Sequence, residues 1–174
     1  MIKRIILVTL ILCFALPCFA KKNQEEDIIT PMTQLEKRQF QTRDYASSDK
    51  AFVMKAILNA LQDDGYIVYN ANPLLGFIYG VKDFDTSDSD IDISKEFGLT
   101  KTRLNLNGIK VATIEVTANV TEYGSTMKVR INFRRKLLNT YGNAQFIDDV
   151  DDKEFYEDFY KKVDQALFLQ KQKV

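Results

Sequence analysis

The chain has 174 residues, of which 24 are basic, 24 are acidic and none is histidine. Without histidine the chain has no Ser-His-Asp triad, no Cys-His dyad and no imidazole metal site. The balanced charge argues against nucleic acid as a partner, because surfaces that bind nucleic acid carry a basic excess. Composition therefore favours a binding or structural protein over an enzyme, and we expect no catalytic residues and no cofactor.

The first 20 residues have the three parts of a secretory signal peptide. Lys3 and Arg4 give a positive start, residues 5–16 are almost entirely apolar, and Cys18-Phe19-Ala20 places small residues at the −3 and −1 positions. The apolar run is shorter than the about 20 residues that a membrane-spanning helix needs. We expect cleavage after Ala20 and a location in the periplasm or cell envelope, with a retained membrane anchor as the alternative.

Both cysteines, Cys13 and Cys18, lie in this segment. Cleavage removes them, so the mature chain would have no thiol for a disulfide, for redox chemistry or for a metal. The alternative is an outer-membrane lipoprotein anchored through a lipidated Cys18. Lipoprotein signals usually have Leu at −3 and a small residue at −1, where this chain has Ala15 and Pro17. Intact mass decides between the two, because cleavage predicts an unmodified chain that begins at Lys21.

Behind the signal, residues 21–34 are polar and charged, and we expect them to tether a single domain over residues 35–174. The polar residues 35–45 predict an extended segment at the edge of a sheet. Residues 50–64 predict a helix, because their apolar side chains recur on one face and Gly65 follows as a C-terminal glycine does. The residues just before this helix offer N-cap side chains, namely Ser47, Ser48 and Asp49.

Two β-hairpins are predicted from the pattern of apolar residues. In the first, the aromatic and β-branched residues 66–70 and 76–82 flank a turn over residues 71–73. In the second, residues 110–121 and 126–134 alternate strictly between apolar and polar side chains. The acidic and Ser-rich stretch between the two hairpins is expected to be a solvated loop.

The register of the second hairpin is predicted from its apolar residues. Facing Thr121 with Thr126 keeps every apolar residue opposite another apolar one, whereas a slip of one residue would pair each with a polar residue. In this register Glu115 lies diagonal to Arg130 and Arg134, within reach for charge pairing.

The last part of the chain predicts a short strand over residues 144–147 and a helix that ends near residue 170. Asp151 and Asp152 lie where a helix N-terminus favours negative charge. One face of this helix is apolar, with Phe155, Phe159, Val163, Ala166 and Leu167, and is flanked by Tyr156 and Tyr160. The predicted fold class is α+β, a two-layer sandwich in which an early helix and the C-terminal helix cover one face of a meandering antiparallel sheet.

Three alternating aspartates, Asp88, Asp90 and Asp92, are similar to the start of a calcium loop. An EF-hand loop also needs Gly at its sixth position and Glu at its twelfth, where this chain has Ile93 and Leu99. We therefore interpret the stretch as a solvated acidic loop, with calcium as the alternative.

Two further acidic pairs, Asp63-Asp64 and Asp148-Asp149, are candidates for acid–base chemistry of the kind that glycosidases use. Their positions at the end of one helix and before the start of another explain them structurally, so no catalytic residue is assigned.

Positive charge concentrates on the second strand of the second hairpin and just beyond it, which predicts a basic outer sheet face. One interpretation is a solvated face that protects a strand edge. The other is a docking patch for an acidic partner or for lipid headgroups. The candidate binding residues are Lys128, Arg130, Arg134 and Arg135, with Lys136 beside them.

Aromatic residues of the last helix, Tyr156, Phe159, Tyr160 and Phe168, are open to two interpretations. They could line a groove for an apolar ligand between helix and sheet. A helix that lies on a sheet also needs such residues simply as core, and we favour this second interpretation.

Several segments between about residues 38 and 170 resemble a family of uncharacterised bacterial envelope lipoproteins. They are Gln41-Thr42-Arg43 with Tyr45 and Asp49, the stretch 60–66, Leu75-Gly76 with Lys82, the stretch 129–134, and Phe155-Tyr156 with Phe159, Phe168 and Leu169. The helix–Gly-aromatic–strand–Gly–strand part is also similar, more loosely, to the helix-grip domains of BamC-type lipoproteins of the outer-membrane β-barrel assembly machine. The resemblance implies a helix-grip-like fold and an envelope location, and it brings no functional residues.

These observations predict a non-catalytic, periplasm-facing envelope protein that acts as an accessory protein-binding module of an assembly or secretion complex. The expected partner is another envelope protein, and peripheral association with a membrane fits the lipid-headgroup interpretation of the basic face. One alternative is a carrier of an apolar or amphiphilic ligand between helix and sheet. The other is an outer-membrane lipoprotein anchored through Cys18.

Overall fold

A computed structural model describes residues 32–85 and 109–172. The signal peptide, most of the expected tether and the calcium candidates Asp88, Asp90 and Asp92 lie outside the described residues. The helices are α1 (Gln34–Gln41), α2 (Lys50–Asp63) and α3 (Lys153–Gln172). The strands are β1 (Thr42–Tyr45), β2 (Ile67–Asn72), β3 (Phe77–Asp85), β4 (Ile109–Tyr123), β5 (Thr126–Asn139) and β6 (Ala144–Asp149).

Strands β2 to β5 form an antiparallel meander in which each strand pairs with the next. The other edge of β5 pairs with two short strands, first β1 along residues 127–130 and then β6 along residues 134–138. The predicted fold class is confirmed: an antiparallel sheet is combined with an early helix and a C-terminal helix in an α+β sandwich.

The core lies between the helices and one face of the sheet, because β4 and β5 alternate between buried and more exposed residues. Helices α2 and α3 also pack against each other above the sheet. The strands contribute Ala112, Ile114, Val116, Ala118, Val120, Met127, Val129, Ile131, Phe133 and Leu137 to this core. The helices contribute Val53, Ala56, Ile57, Leu61, Tyr156, Phe159, Tyr160 and Val163.

Local capping explains where α2 and α3 begin. Asp49 Oδ1 accepts a hydrogen bond from the backbone N–H of Phe52 over 3.0 Å, and Asp152 Oδ1 accepts one from the N–H of Glu154 over 2.9 Å. These carboxylates satisfy N–H groups that have no partner within the helix. The predictions of both helices, of both hairpins and of the short strand near Ile147 are confirmed. The turn of the first hairpin lies over residues 73–76 and not 71–73, because Ala71 and Asn72 belong to β2.

The prediction of an extended segment over residues 35–45 is wrong for its first part, where α1 lies. The start of α1 is a capping box: Glu36 N donates to Thr33 Oγ1 over 3.3 Å, and Thr33 N donates to Glu36 Oε2 over 2.7 Å. Only residues 42–45 are extended, and they form the edge strand β1.

The predicted register of the second hairpin is wrong by two residues. Tyr123, not Thr121, faces Thr126, so Gly124 and Ser125 alone form the turn. Gly124 has a φ of +61°, as the first central residue of a type II′ turn requires. A shift of two residues leaves every side chain on its own face, and matching apolar residues therefore could not exclude it.

Candidate functional site

The sheet face opposite the helices, here called the outer face, has two neighbouring rows of side chains at its centre. Strand pairing places Phe77, Asn119, Arg130 and Thr42 side by side in the first row. The second row, one pleat further along, holds Asn70, Tyr79, Thr117 and Asn132. These central rows contain aromatic, amide and hydroxyl groups and a single charged residue, Arg130.

Charged residues flank the central rows on both sides. On one side, Lys128 Nζ lies 3.6 Å from Asp44 Oδ1. On the other side, Arg134 lies opposite Glu115, and its Nε lies 3.2 Å from Asp149 Oδ1. Two of the predicted binding cations, Lys128 and Arg134, therefore have acidic partners within the chain, and we interpret them as a solvated rim.

Glu115 is also neutralised by Lys136, whose Nζ lies 2.5 Å from Glu115 Oε1. The sequence-based register placed Glu115 diagonal to Arg134, whereas the two residues lie directly opposite each other. Both side chains of the Lys136 pair are at most 30% exposed, so this pair is better shielded from water than the rim pairs.

The prediction that Arg135 belongs to the basic outer face is wrong. Arg135 alternates with Arg134 along β5 and shares the inner face with Phe133 and Leu137, at 6% exposure. One of its terminal nitrogens lies 3.1 Å from Asp148 Oδ2 and donates to the Asp149 carbonyl over 3.2 Å. Arg135 therefore joins β6 to β5 and is not available to a partner.

Arg130 remains as the cation that the outer face does not neutralise. Among residues 32–85 and 109–172 it has no ion pair, and its Nε is buried without a hydrogen-bond acceptor. Its neighbours across the strands are the uncharged Thr42 and Asn119. A buried N–H of a charged group that lacks an acceptor is costly. Unlike Arg135, Arg130 is only partly buried, so the exposed part of its guanidinium can bind a ligand carboxylate.

Aromatic rings lie on the same outer face as Arg130, across strand β4 from it, and were not among the predicted site residues. The ring centroids of Tyr69 and Tyr79 are 6.3 Å apart, and the Tyr79 hydroxyl donates to Glu115 Oε1 over 3.4 Å. Loss of solvation, with the Glu115 charge, raises the pKa of Tyr79, so its phenol is a neutral donor. The alternation of Phe77, Tyr79 and Val81 with the buried Ile78 was the signal that could have found this patch.

The aromatic residues of α3 divide between core and surface. Tyr156, Phe159 and Tyr160 are 0%, 4% and 2% exposed, and the hydroxyl of Tyr160 donates to the Gln41 carbonyl over 2.7 Å. These three residues belong to the core, as the favoured interpretation predicts. Tyr156 and Tyr160, which were predicted to flank the apolar face of the helix, therefore lie within that face. Phe168, by contrast, is 61% exposed.

Three of the four aspartates in the acidic pairs singled out in the sequence have basic partners. Asp64 bonds to Lys162 of α3, and Asp148 and Asp149 bond to the two arginines of β5 described above. Within the described part of the chain, no three histidine, cysteine or acidic side chains gather as metal ligands do. These carboxylates connect secondary-structure elements.

A scan against models of known protein families finds no match, and a search of curated proteins finds none either. Across residues 32–85 and 109–172, no helix has the length and apolar character needed to span a bilayer.

Proposed function

We propose that this chain is a non-catalytic module of the bacterial cell envelope that binds another envelope protein through the outer face of its sheet. The observation that carries the proposal is Arg130, a partly exposed charged side chain in the central rows of the outer face, whose Nε has no acceptor among residues 32–85 and 109–172. The signal-peptide pattern and the resemblance to envelope lipoproteins support the location.

The outer face has the residue composition of a protein–protein interface. Interface centres are enriched in aromatic residues and arginine and depleted in lysine and acidic residues, whereas their rims are polar. The central rows hold Phe77, Tyr79 and Arg130 among neutral polar groups, and the ion pairs of Lys128 and Arg134 lie on either side.

The chemistry of Arg130 indicates what the partner presents. A guanidinium binds a carboxylate through two parallel hydrogen bonds, and such charge-assisted bonds are about twice as strong as neutral ones. We therefore expect the partner to place an aspartate or glutamate over Arg130. Next to it, we expect an apolar or aromatic group on Phe77 and Tyr79.

Site-specific photo-crosslinking in the native host tests the proposal. A photoreactive residue at Asn119, which is exposed beside Arg130, should form a specific adduct with another envelope protein. The matched control replaces Lys161, an exposed residue of α3 on the opposite side of the domain. Absence of an adduct at Asn119, or the same adduct from both positions, would contradict the proposal.

The carrier alternative is tested separately by native mass spectrometry of the protein isolated from its host. A reproducibly bound apolar molecule would favour it. Because Tyr156, Phe159 and Tyr160 are buried against the sheet, we favour the protein-binding function.

A further inference from the structure

Most of the β2–β3 hairpin is uncharged. Residues 66–81 contain no charged residue, whereas 28% of the whole chain is charged. Several apolar side chains of this stretch are nevertheless exposed: Ile67 at 63%, Tyr69 at 65%, Leu74 at 86% and Leu75 at 69%.

The hairpin also forms one edge of the sheet. In the described part of the chain, β2 pairs with β3 on one side and with no strand on the other. A free strand edge presents a row of N–H and C=O groups that can pair with another strand. Natural proteins protect such edges with charges, proline or bulges; the six residues of β2 contain no charge and no proline, and have one bulge, between Val68 and Asn70.

We propose that β2 pairs antiparallel with β2 of a second copy of this chain, so that the two sheets continue as one. A lipid surface suits this edge less well, because hydrocarbon offers no partners for its backbone groups. An extended strand supplies those partners. The inference does not depend on the proposed function.

The absence of charge in β2 favours a second copy of the same chain as the partner. Two-fold symmetry brings the same short segment of both copies together, and like charges facing each other across strands destabilise the pair. Strand β2 has no charge to repel its copy. The opposite edge of the sheet is different, since β1 contains Arg43 and Asp44, and β6 contains Asp148 and Asp149.

A symmetric register gives the exposed side chains partners. With Val68 on the two-fold axis, Ile67 of each copy faces Tyr69 of the other, and pairs of a β-branched and an aromatic residue stabilise antiparallel strands. Tyr69 is well placed for this contact, because a bulge between Val68 and Asn70 leaves it without a partner on β3. The axis is perpendicular to the sheet, so both copies present Arg130 on the same side.

Sedimentation equilibrium of the protein purified from its host envelope tests the inference. The weight-average mass of the wild type should rise toward that of a dimer with increasing concentration. Tyr69→Lys and Ile67→Lys should each raise the dimer Kd about tenfold or more, because each removes both Ile67–Tyr69 contacts and places two lysines diagonally across the axis. Tyr141→Lys, at an 87% exposed position of the β5–β6 turn, is the control and should dimerise as the wild type does.

Hydrogen exchange of residues 67–72 gives a second measurement, and their amide protection should increase with protein concentration. A wild type that stays monomeric at its highest soluble concentration would overturn the inference, including when the monomer binds phospholipid vesicles. A Tyr69→Lys protein that folds and dimerises with the wild-type Kd would also overturn it.

Discussion

The hydroxyl of Tyr156 accepts a hydrogen bond from the backbone N–H of Phe133 over 3.1 Å, in a gap between two strands. Strand β1 pairs with β5 up to Arg130, and β6 pairs from Arg134 onward. The carbonyl of Phe133 accepts from Val150 N over 2.9 Å. Tyr156 of α3 thus provides the acceptor for the Phe133 N–H, which neither β1 nor β6 reaches. A buried backbone N–H needs such a partner.

Tyr156→Phe should lower the free energy of unfolding by about 1–3 kcal/mol, because it leaves the buried Phe133 N–H without its acceptor. Urea unfolding beside the wild type measures the change. Tyr141→Phe, at an exposed turn, is the control and should unfold at the wild-type midpoint. Equal midpoints for all three proteins would show that the Phe133 N–H has another acceptor.

Stability should fall at alkaline pH. Burial raises the pKa of Tyr156 to about 12 and also raises that of Tyr160, whereas an unfolded tyrosine ionises near pH 10. The unfolded chain therefore loses these protons first, so the stabilisation is complete below about pH 10 and is lost as pH rises through about 12. Urea midpoints over this range should fall less steeply for Tyr156→Phe than for the wild type, and parallel curves would contradict this explanation.

Phe159 tests whether α3 is an integral part of the domain. Its ring packs edge-on against Phe133 with centroids 5.1 Å apart, and the side chain is 4% exposed. Phe159→Ala should cost about 3–5 kcal/mol, and Lys161→Ala should change stability by no more than about 0.5 kcal/mol. If Phe159→Ala unfolds at the wild-type urea midpoint, the aromatic face of α3 is not core.

Gly76 and Gly124 form a matched pair, since both have positive φ, +68° and +61°. A Cβ on Gly124 would meet nothing within 4 Å, whereas one on Gly76 would lie 2.0 Å from the carbonyl oxygen of Val120. Gly124→Ala should cost only the left-handed backbone penalty, about 1–2 kcal/mol. Gly76→Ala should cost clearly more, because the hairpin must also move away from β4. Equal losses in thermal or urea unfolding would contradict the close approach.

Helical spacing of apolar residues was enough to predict α2 and α3, since each covers the sheet with one face. Helix α1 offered no such pattern, because it is short and mostly polar and its position depends on the capping pair Thr33 and Glu36. Turn chemistry at Gly124, not apolar matching, decides the register of β4 and β5.

The candidate site was predictable only in part. Extending the alternation of β5 beyond Phe133 would have placed Arg135 inside, next to Asp148. The isolation of Arg130 was not predictable, because it depends on β1 bringing the uncharged Thr42 beside it from a distant part of the sequence.

The central claim is that Arg130 and the outer face of the sheet bind a protein partner. Its most direct test measures how much partner is crosslinked from position 119 in the native host when Arg130 is replaced, in Arg130→Glu. Lys161→Glu, on α3, is the control for charge reversal. We predict a loss of about tenfold or more for Arg130→Glu, a wild-type yield for Lys161→Glu, and for both a urea midpoint no lower than that of the wild type. A wild-type yield from a folded Arg130→Glu protein would contradict the claim.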